Sequence, residues 1–340
     1  MSAQSRCKQG RREFLRLLGM GSGAVFLGQV CLPLSYAKEA YPAEQIRWIV
    51  YTKPGGGFDL LARSLAPYMK MYLKEISKGA KAGDMIIRNM PEAGGLKAYT
   101  TIYNAKPDGY TIGDFNSGSY SDSMFSKSEI DYRRYTYLVR TGVSYRVIVT
   151  HKNGFKSWEE MMKAGREREL KWAVGNFGHG AHISAILIKE FARVPARFIY
   201  FPGTAENINA VLRGDVHMAI VSEESANALI DAGEIKVLTV LSDASRYPDV
   251  PSIAQVGHPE LAEPAKLHRL VIAPPNLPGE ITDILVSTFK KIFNDKQFLA
   301  QAKKIGFAPD PVYAAEADRL AQSIFNYYDE NMPIFKKYLT

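Results

Sequence analysis

Residues 51–63 read YTKPGGGFDLLAR and join an apolar run to a helix-like run. The run 46–52 has the length and apolar content of a buried strand, while Leu61, Leu65 and Tyr68 repeat with the period of a helix. Glycines at a strand–helix junction can turn backbone N–H groups toward an anion, and the dipole of the following helix adds attraction. The stretch therefore predicts an α/β fold with an anion-binding loop, and it leaves open which anion is bound.

Two further loops repeat this arrangement. They lie at 175–180 (GNFGHG) and 202–204 (PGT), each between a predicted strand and a predicted helix. In open α/β sheets such loops gather at the carboxyl ends of the strands, where ligands bind. A single glycine loop is as easily a tight turn as an anion site. Three loops in equivalent places favour a site that two lobes form around one small anion.

Apolar strands and helical patterns alternate after residue 40, as in α/β domains with mostly parallel sheets. Ser157 and Glu160 form a capping box that predicts the start of a helix. Thr204 is placed to cap another helix, which Gly214 ends. The predicted strands are 46–52, 85–88, 110–115, 146–150, 171–175, 197–201, 216–221, 236–241 and 268–273.

Composition shifts near 141–145 and 258–264 predict two linkers. We therefore expect a first lobe made of residues 41–143 and 261–340, and a second lobe made of residues 144–260. The chain from Gly279 onward is helical in pattern and holds too few strands for a domain of its own. We expect this tail to pack on the first lobe.

The glycine loops lack the residues of a nucleotide site. No Gly-Lys-Ser/Thr follows the first loop, and Leu60 stands where a G-x-G-x-x-G fingerprint needs its last glycine. His179 and His182 supply at most half of a zinc site, and no H-E-x-x-H motif occurs. After residue 37 there is also no G-x-S-x-G nucleophile motif. We therefore predict no cofactor, no metal and no catalytic residues.

The first 37 residues have the layout of an export signal peptide. Arg11 and Arg12 precede 21 uncharged residues that end at Ala37. The twin arginines and the glycine-weakened apolar stretch resemble a Tat signal, so we expect cleavage after Ala37 and a periplasmic location. An uncleaved membrane anchor is the alternative, since 21 uncharged residues nearly span a bilayer. Pro33 and the glycines disfavour it.

Removal of the signal changes the charge of the chain. The whole sequence carries 43 Lys and Arg against 35 Asp and Glu, a net charge of +8. Residues 1–37 hold five of the basic residues and one acidic residue, which leaves a net charge of +4. That charge is small and interspersed, so we expect no nucleic-acid partner, whereas an anionic solute would not be repelled. Cys7 and Cys31 also lie in the signal, which excludes disulfides and thiolate chemistry from the remainder.

A series of short motifs runs in order from Tyr41 toward the C-terminus. They are Tyr41-Pro42, Pro54-Gly55-Gly56-Gly57-x-Asp59-x-x-Ala62-Arg63, Asn89-x-Pro91-x-Ala93-Gly94-Gly95, Pro107-Asp108-Gly109-Tyr110-Thr111, Gly178 with His182, Gly203, Gly233, Tyr247-Pro248-Asp249-Val250-Pro251-Ser252 and Ala273-Pro274-Pro275. Each motif is weak by itself. Together the ordered set resembles the solute-binding receptors of tripartite tricarboxylate transporters, also called Bug receptors, over essentially all of the chain after the signal.

The resemblance implies the fold of a type II periplasmic binding protein, with two α/β lobes and a ligand cleft between them. It implies a receptor that captures a small organic carboxylate and delivers it to the membrane subunits of a tripartite tricarboxylate transporter. We expect a monomer. The competing function is a Tat-exported periplasmic enzyme or cofactor-binding protein, which the missing motifs disfavour. The ligand-binding residues that the resemblance implies are Gly56, Gly57, Asp59, Asn116 and Ser117 in the first lobe, and Asn176, Phe177, His179, Gly203, Thr204 and Glu223 in the second.

Several residues near the implied cleft depart from the family pattern. Phe58 stands where a small polar residue is frequent, and we add it to the ligand-binding residues. Phe58 and Phe177 offer stacking surface, which favours an aromatic carboxylate as ligand. Glu92 and Glu223 disfavour a multiply charged tricarboxylate. Asp59 lies in the first turn of its helix and is expected to organise the loop more than to bind an anion.

Overall fold

A computed structural model describes residues 41–77, 81–121, 129–175, 177–201 and 203–339. The predicted export signal, both cysteines and Asn176 of the predicted site lie outside these residues. The strands are β1 (Ile46–Val50), β2 (Met85–Asn89), β3 (Thr111–Asn116), β4 (Thr136–Ser144), β5 (Arg146–His151), β6 (Leu170–Ala173), β7 (Ala196–Ile199), β8 (Met218–Ser222), β9 (Ile235–Leu241), β10 (Leu267–Ala273) and β11 (Val312–Tyr313). The helices are α1 (Gly57–Ile76), α2 (Leu96–Tyr103), α3 (Trp158–Glu167), α4 (Gly180–Phe191), α5 (Thr204–Leu212), α6 (Glu223–Asp231), α7 (Ala262–Ala265), α8 (Gly279–Phe293), α9 (Lys296–Lys304), α10 (Ala314–Glu330) and α11 (Met332–Leu339).

The first lobe is built on a sheet with the strand order β11-β4-β10-β3-β1-β2. β1 runs parallel to β2 and β3, with Trp48 opposite Ile87 on one side and Ile112 on the other. Apolar side chains of β1 pack with the buried stripe of α1 and with α8 and α9 into one core. The first glycine loop therefore leaves the carboxyl end of a strand that is paired on both sides.

The second lobe is built on a sheet with the strand order β7-β6-β8-β5-β9. β6 is parallel to β7 and β8. The second glycine loop joins β6 to α4, and the third joins β7 to α5. Each of the three predicted loops thus follows a strand and leads into a helix, which confirms that part of the prediction.

Both sheets are mixed, whereas the sequence pattern predicted mostly parallel strands. β10 is antiparallel to β3 and β4, and β5 is antiparallel to β8 and β9. The chain crosses between the lobes through β4, β5 and β10, and these strands are antiparallel to the strands beside them. All nine predicted strands are present with small shifts at their ends, but β4 and the two-residue β11 were not predicted.

Two of the three helix-end predictions are confirmed. The Ser157 hydroxyl accepts a hydrogen bond from the backbone N–H of Glu160 at 3.3 Å, so Ser157 caps the helix, while the Glu160 carboxylate accepts from the N–H of Lys156 at 2.7 Å. Gly214 follows α5 in the left-handed region at φ +77°. The prediction for Thr204 was wrong, because Gly203 is the N-cap and Thr204 is the first helical residue.

The chain after Gly279 packs on both lobes, so the prediction that it packs on the first lobe was wrong for its last helix. α8 and α9 contact α1, and α10 contacts β4, but α11 contacts α4 of the second lobe. Tyr328 and Phe335 belong to the core of the second lobe. The carboxylate of Glu190 in α4 pairs with Lys337 at 3.1 Å and accepts a hydrogen bond from the Tyr338 hydroxyl. The C-terminal helices therefore form a third connection between the lobes, in addition to the crossings from β4 to β5 and from β9 to β10.

Candidate ligand-binding site

A cavity of about 620 Å³ lies between the two lobes, and we call it the cleft cavity. The first lobe lines it with the loop after β1 and with Asn116 at the end of β3. The second lobe lines it with Arg146 and with both of its glycine loops. All three predicted loops therefore meet at one cavity.

Four helices begin at the cleft cavity. The N-caps of α1, α4, α5 and α6 are Gly56, His179, Gly203 and Ser222, and none of them caps its helix with a side-chain hydrogen bond. The first N–H groups of a helix lack intrahelical acceptors, and the helix dipole places partial positive charge there. The cavity is therefore bordered by backbone donors that suit an anion.

Arg146 adds a full positive charge to the cleft cavity. It begins β5, is only 5% exposed, and donates from Nη1 to the carbonyl oxygen of Ala265 at 2.5 Å. Its guanidinium lies against the start of α4, so closely that a Cβ atom on Gly180 would be 2.4 Å from Nη2. Burial lowers the pKa of Arg146, and Tyr328 and Tyr51 act in the opposite direction. In the part of the chain that the structure describes, no carboxylate forms an ion pair with this arginine, so its charge is available to a carboxylate ligand.

Asp59 holds the first glycine loop in shape. Its side chain is 2% exposed and accepts hydrogen bonds from the N–H of Gly55 at 2.8 Å and from Nδ2 of Asn89 at 2.9 Å. It also forms an ion pair with Arg63 at 2.9 Å. Burial raises the pKa of Asp59, but the hydrogen bonds from Arg63, Gly55 and Asn89 outweigh burial and hold the pKa below its usual value. The carboxylate therefore supports the loop and leaves the start of α1 open toward the cavity.

The two histidines of the second glycine loop lie in different surroundings. His182 is fully buried, and its Nδ1 accepts a hydrogen bond from the N–H of Gly178 at 3.1 Å. His179 lines the cleft cavity, and its Nε2 lies against Gly94 of the first lobe, where a Cβ atom would be 3.0 Å away. Burial and the charge of Arg146 lower the pKa of His179. His182 therefore supports the loop, while neutral His179 faces the cavity.

Acidification from about pH 6.5 to pH 4 is expected to remove the stability that His182 contributes. Burial, together with His179, lowers the pKa of His182 to about 4, below the value of roughly 6.5 in an unfolded chain. The unfolded state binds the proton first, so the contribution is complete above pH ~6.5 and is lost as the pH falls toward 4. It amounts to at most about 3 kcal/mol. Denaturant unfolding at pH 7 and pH 4.5 should show a larger loss for the wild type than for His182→Gln. Equal losses in the two proteins would contradict this role of His182.

A second cavity of about 450 Å³ adjoins the first, and we call it the side cavity. It is lined by residues 55–58 and 60–61 of the first lobe, by Arg269 on β10, by Glu224 at the start of α6 and by residues 305–307. Four residues line both cavities, namely Tyr51, Gly56, Ser222 and Leu267. The two cavities are therefore neighbouring parts of one cleft.

Arg269 connects the lobes at the side cavity. Its Nε donates to the hydroxyl of Ser144 at 2.9 Å, and its Nη2 lies 3.4 Å from Oε2 of Glu224 in the second lobe. The ring of Phe58 lies 4.6 Å from the guanidinium carbon and packs edge-on against Tyr51. The positive charge of Arg269 is thus balanced within the protein by Glu224.

The structure brings together most of the predicted site residues. Gly56, Asn116, His179, Gly203 and Thr204 line the cleft cavity, and Gly56, Gly57 and Phe58 line the side cavity. Asp59 and Ser117 are buried, and neither is a wall residue of the two cavities.

Phe177 and Glu223 are not wall residues of either cavity. Phe177 is 49% exposed and packs on His182 and Tyr200, and no ring contact joins it to Phe58. Glu223 pairs with Arg246 at 2.7 Å. Phe58 and Phe177 therefore do not form a stacking surface at the cleft cavity, and Glu223 does not line it.

Sequence reasoning missed Arg146, Tyr51, Arg269 and Glu224. A single arginine at the start of a strand has no periodic or motif signal. Its position becomes informative only when the crossing from β4 to β5 places it at the junction of the lobes. Arg269 also has no motif signal, because its position matters only after the second crossing, from β9 to β10, places it at the junction of the lobes.

The described residues contain neither a metal-binding cluster nor a membrane-spanning helix. No group of three or more His, Cys, Asp and Glu side chains there could hold a metal ion. No helix there is both long and apolar enough to pass through a membrane.

Comparison with known proteins identifies relatives of the chain. The model of the family described as tripartite tricarboxylate transporter family receptor matches residues 73–338. A UPF0065 protein of Bordetella pertussis is 26% identical over 279 residues, which cover 80% of this chain and 83% of that protein.

Solved structures show a similar fold. R. palustris Rpa4515 with adipate matches with a TM-score of 0.74 and 21% identity, covering 87% of this chain and 98% of that one. MatC (Rpa3494) from Rhodopseudomonas palustris with bound malate matches with a TM-score of 0.70 and 20% identity, covering 87% of this chain and 100% of that one. The fold predicted from the sequence, two α/β lobes of a periplasmic binding protein, is confirmed.

Proposed function

The chain belongs to the receptors of the tripartite tricarboxylate transporter family. We propose that it encloses a small organic carboxylate between its lobes and delivers it to a membrane transporter. The protein is a receptor and not an enzyme, as its family indicates. We place it in the periplasm as a monomer, exported by a cleaved, Tat-like signal. Its partners are the carboxylate and the membrane subunits of the transporter, without nucleic acid.

The observation that carries the proposal is the buried charge of Arg146. The guanidinium of a residue that is only 5% exposed is costly to bury unless a partner of opposite charge compensates it. Arg146 has a backbone carbonyl as its hydrogen-bond acceptor and faces a cavity bordered by helix N-termini. A carboxylate is the ligand group that fits this combination, because it accepts hydrogen bonds from a guanidinium and from backbone N–H groups at once.

The relatives and the topology support the proposal. The solved structures with adipate and malate are carboxylate complexes of proteins with this fold. We propose the lobe boundaries predicted above, 41–143 with 261–340 and 144–260, with the last helix α11 packed on the second lobe. β4 ends at Ser144 in the first sheet and β5 starts at Arg146 in the second, which supports the first boundary.

Isothermal titration calorimetry of the purified chain without residues 1–37 tests the proposal. The panel contains butyrate, benzoate, malate, adipate and citrate, with butyramide and benzamide as uncharged analogues of equal shape. We expect at least one carboxylate to bind with a Kd of roughly micromolar order. Butyramide and benzamide should bind about 100-fold more weakly than the corresponding acids or worse, because an amide cannot neutralise Arg146. Equal binding of acids and amides would overturn the carboxylate assignment, and so would the absence of binding by every acid. Native mass spectrometry of freshly purified protein would reveal a ligand outside this panel.

A further inference from the structure

The wall charges of the cleft cavity leave one net positive charge. Its charged wall residues are Lys53, Arg146 and Glu206, two basic and one acidic. Oε2 of Glu206 lies so close to Gly203 that a Cβ atom there would be 2.5 Å away, so this carboxylate sits at the start of α5. His179 is neutral at pH 7 because burial and Arg146 lower its pKa. One ligand carboxylate is enough to balance the cavity.

The side cavity has no spare positive charge. Its charged wall residues are Arg269 and Glu224, which cancel. Arg269 is 7% exposed, donates to Ser144 and Glu224, and is covered on one face by the ring of Phe58. Its remaining Nη1 atom is buried and has no hydrogen-bond partner among the described residues, so this cavity can still donate one hydrogen bond to a neutral ligand group. A second ligand carboxylate in this cavity would lose its hydration and add an unbalanced negative charge, because Glu224 already balances the charge of Arg269.

The outer wall of the side cavity is apolar and open to a ligand. Leu60 is 46% exposed and Ile305 is 40% exposed, and both line the cavity together with half-buried Phe307. Single exposed apolar side chains are ordinary on a protein surface. Here they converge on one concave wall that adjoins the carboxylate site at Tyr51 and Gly56.

We infer that the ligand is a monocarboxylate with an apolar tail, whose carboxylate binds at Arg146 and whose tail passes Tyr51 into the side cavity. This inference rests on the proposed function and specifies its substrate class. Leu60, Ile305 and Phe307 are then the residues that select the tail. The side cavity then holds the ligand tail, whereas Phe177 does not line this cavity and so cannot stack together with Phe58 on one aromatic ligand there.

Chain length and end-group chemistry test this inference by calorimetry. Butyrate, octanoate and octanedioate are the probes, and octanol is the uncharged analogue of octanoate. Each fully buried methylene strengthens binding about fourfold. We expect octanoate to bind at least about tenfold more tightly than butyrate, since part of the tail keeps contact with water. Octanedioate should bind more weakly than octanoate, because its second carboxylate enters a cavity in which the charges of Arg269 and Glu224 already cancel.

Variants of the exposed wall locate the tail. Leu60→Gln and Ile305→Gln should each weaken octanoate binding about three- to tenfold and change butyrate binding less than twofold. Both side chains keep 40% or more of their surface in contact with solvent, so we expect the variants to fold. Leu299→Gln is the matched control, because Leu299 is 39% exposed and belongs to neither cavity wall. It should leave both affinities unchanged.

The outcomes separate this inference from the proposed function. If carboxylates bind but octanoate is no tighter than butyrate, or octanedioate is the tightest ligand, the tail assignment is wrong and the receptor function stands. If the wall variants leave octanoate binding unchanged, the tail lies elsewhere and the inference also fails. If neither butyrate nor octanoate binds better than its uncharged analogue, the carboxylate site itself is wrong.

Discussion

Arg146→Gln is expected to weaken carboxylate binding by about 100-fold or more while leaving the unliganded protein at least as stable as the wild type. Truncating one member of a buried charge pair costs about 2–5 kcal/mol of binding free energy, because the other charge stays desolvated. In the unliganded protein the same change removes a buried guanidinium that lacks a counter-ion, and glutamine retains a donor for the carbonyl of Ala265. Calorimetry with the tightest carboxylate of the panel, and thermal unfolding without ligand, measure the two effects.

A matched arginine on the same sheet controls this experiment. Arg197 on β7 is exposed and lies outside both cavity walls, so Arg197→Gln should leave affinity and stability unchanged. Arg146→Lys should recover part of the lost affinity, since a lysine keeps the charge but not the planar pair of donors. If Arg146→Gln binds the carboxylate as tightly as the wild type, Arg146 is not the anchor of the ligand.

Gly113→Ala is expected to lower the free energy of unfolding by about 3 kcal/mol or more, through overpacking at the centre of the first sheet. A Cβ atom on Gly113 would lie 2.4 Å from Cδ1 of Ile102 and 2.6 Å from the carbonyl oxygen of Ile49. The isoleucine side chain belongs to buried α2, and the carbonyl belongs to the neighbouring strand β1. The carbonyl cannot move without disturbing the ladder that carries the first glycine loop. Urea unfolding measured by circular dichroism would report the loss.

Gly279→Ala provides the control for added methyl volume. A Cβ atom on Gly279 would meet no atom within 4 Å, and this glycine begins α8. We expect stability to stay equal or to rise slightly, because alanine favours the helix more than glycine does. If Gly113→Ala proves as stable as Gly279→Ala, the close approach of β1, β3 and α2 is looser than described.

Local patterns were sufficient to predict the elements of the fold. The strand that contains Trp48 and the helix that contains Leu61 and Leu65 follow from their periodicities, because one face of each is buried in the same core. The same reasoning failed for β4, which includes Arg140 and Gly142. Arg140 pairs with Asp310 at 2.7 Å, and Gly142 packs beneath Phe307, so both residues are explained by tertiary partners distant in sequence.

The candidate site could be predicted only where it is made of backbone. Gly56 and Gly203 are N-caps at the cleft cavity, and glycine loops between strands and helices have a recognisable pattern. The charged side chains of the site had no such pattern. Arg146 and Arg269 reach it because two separate chain crossings converge at the junction of the lobes, and that convergence is a property of the topology.

The contact of α11 with α4 has a mechanical consequence. Two adjacent crossings would act as a hinge pair, about which the lobes could both bend and twist. The passage of the chain from α10 on the first sheet to α11 on the second lobe adds a tether away from that pair, fastened by Glu190 with Lys337 and Tyr338. A connection placed away from the two crossings restricts twisting of one lobe against the other more than it restricts bending. We therefore expect the lobes to bend about the hinge pair along a single arc, with Arg146 staying aligned with the start of α1.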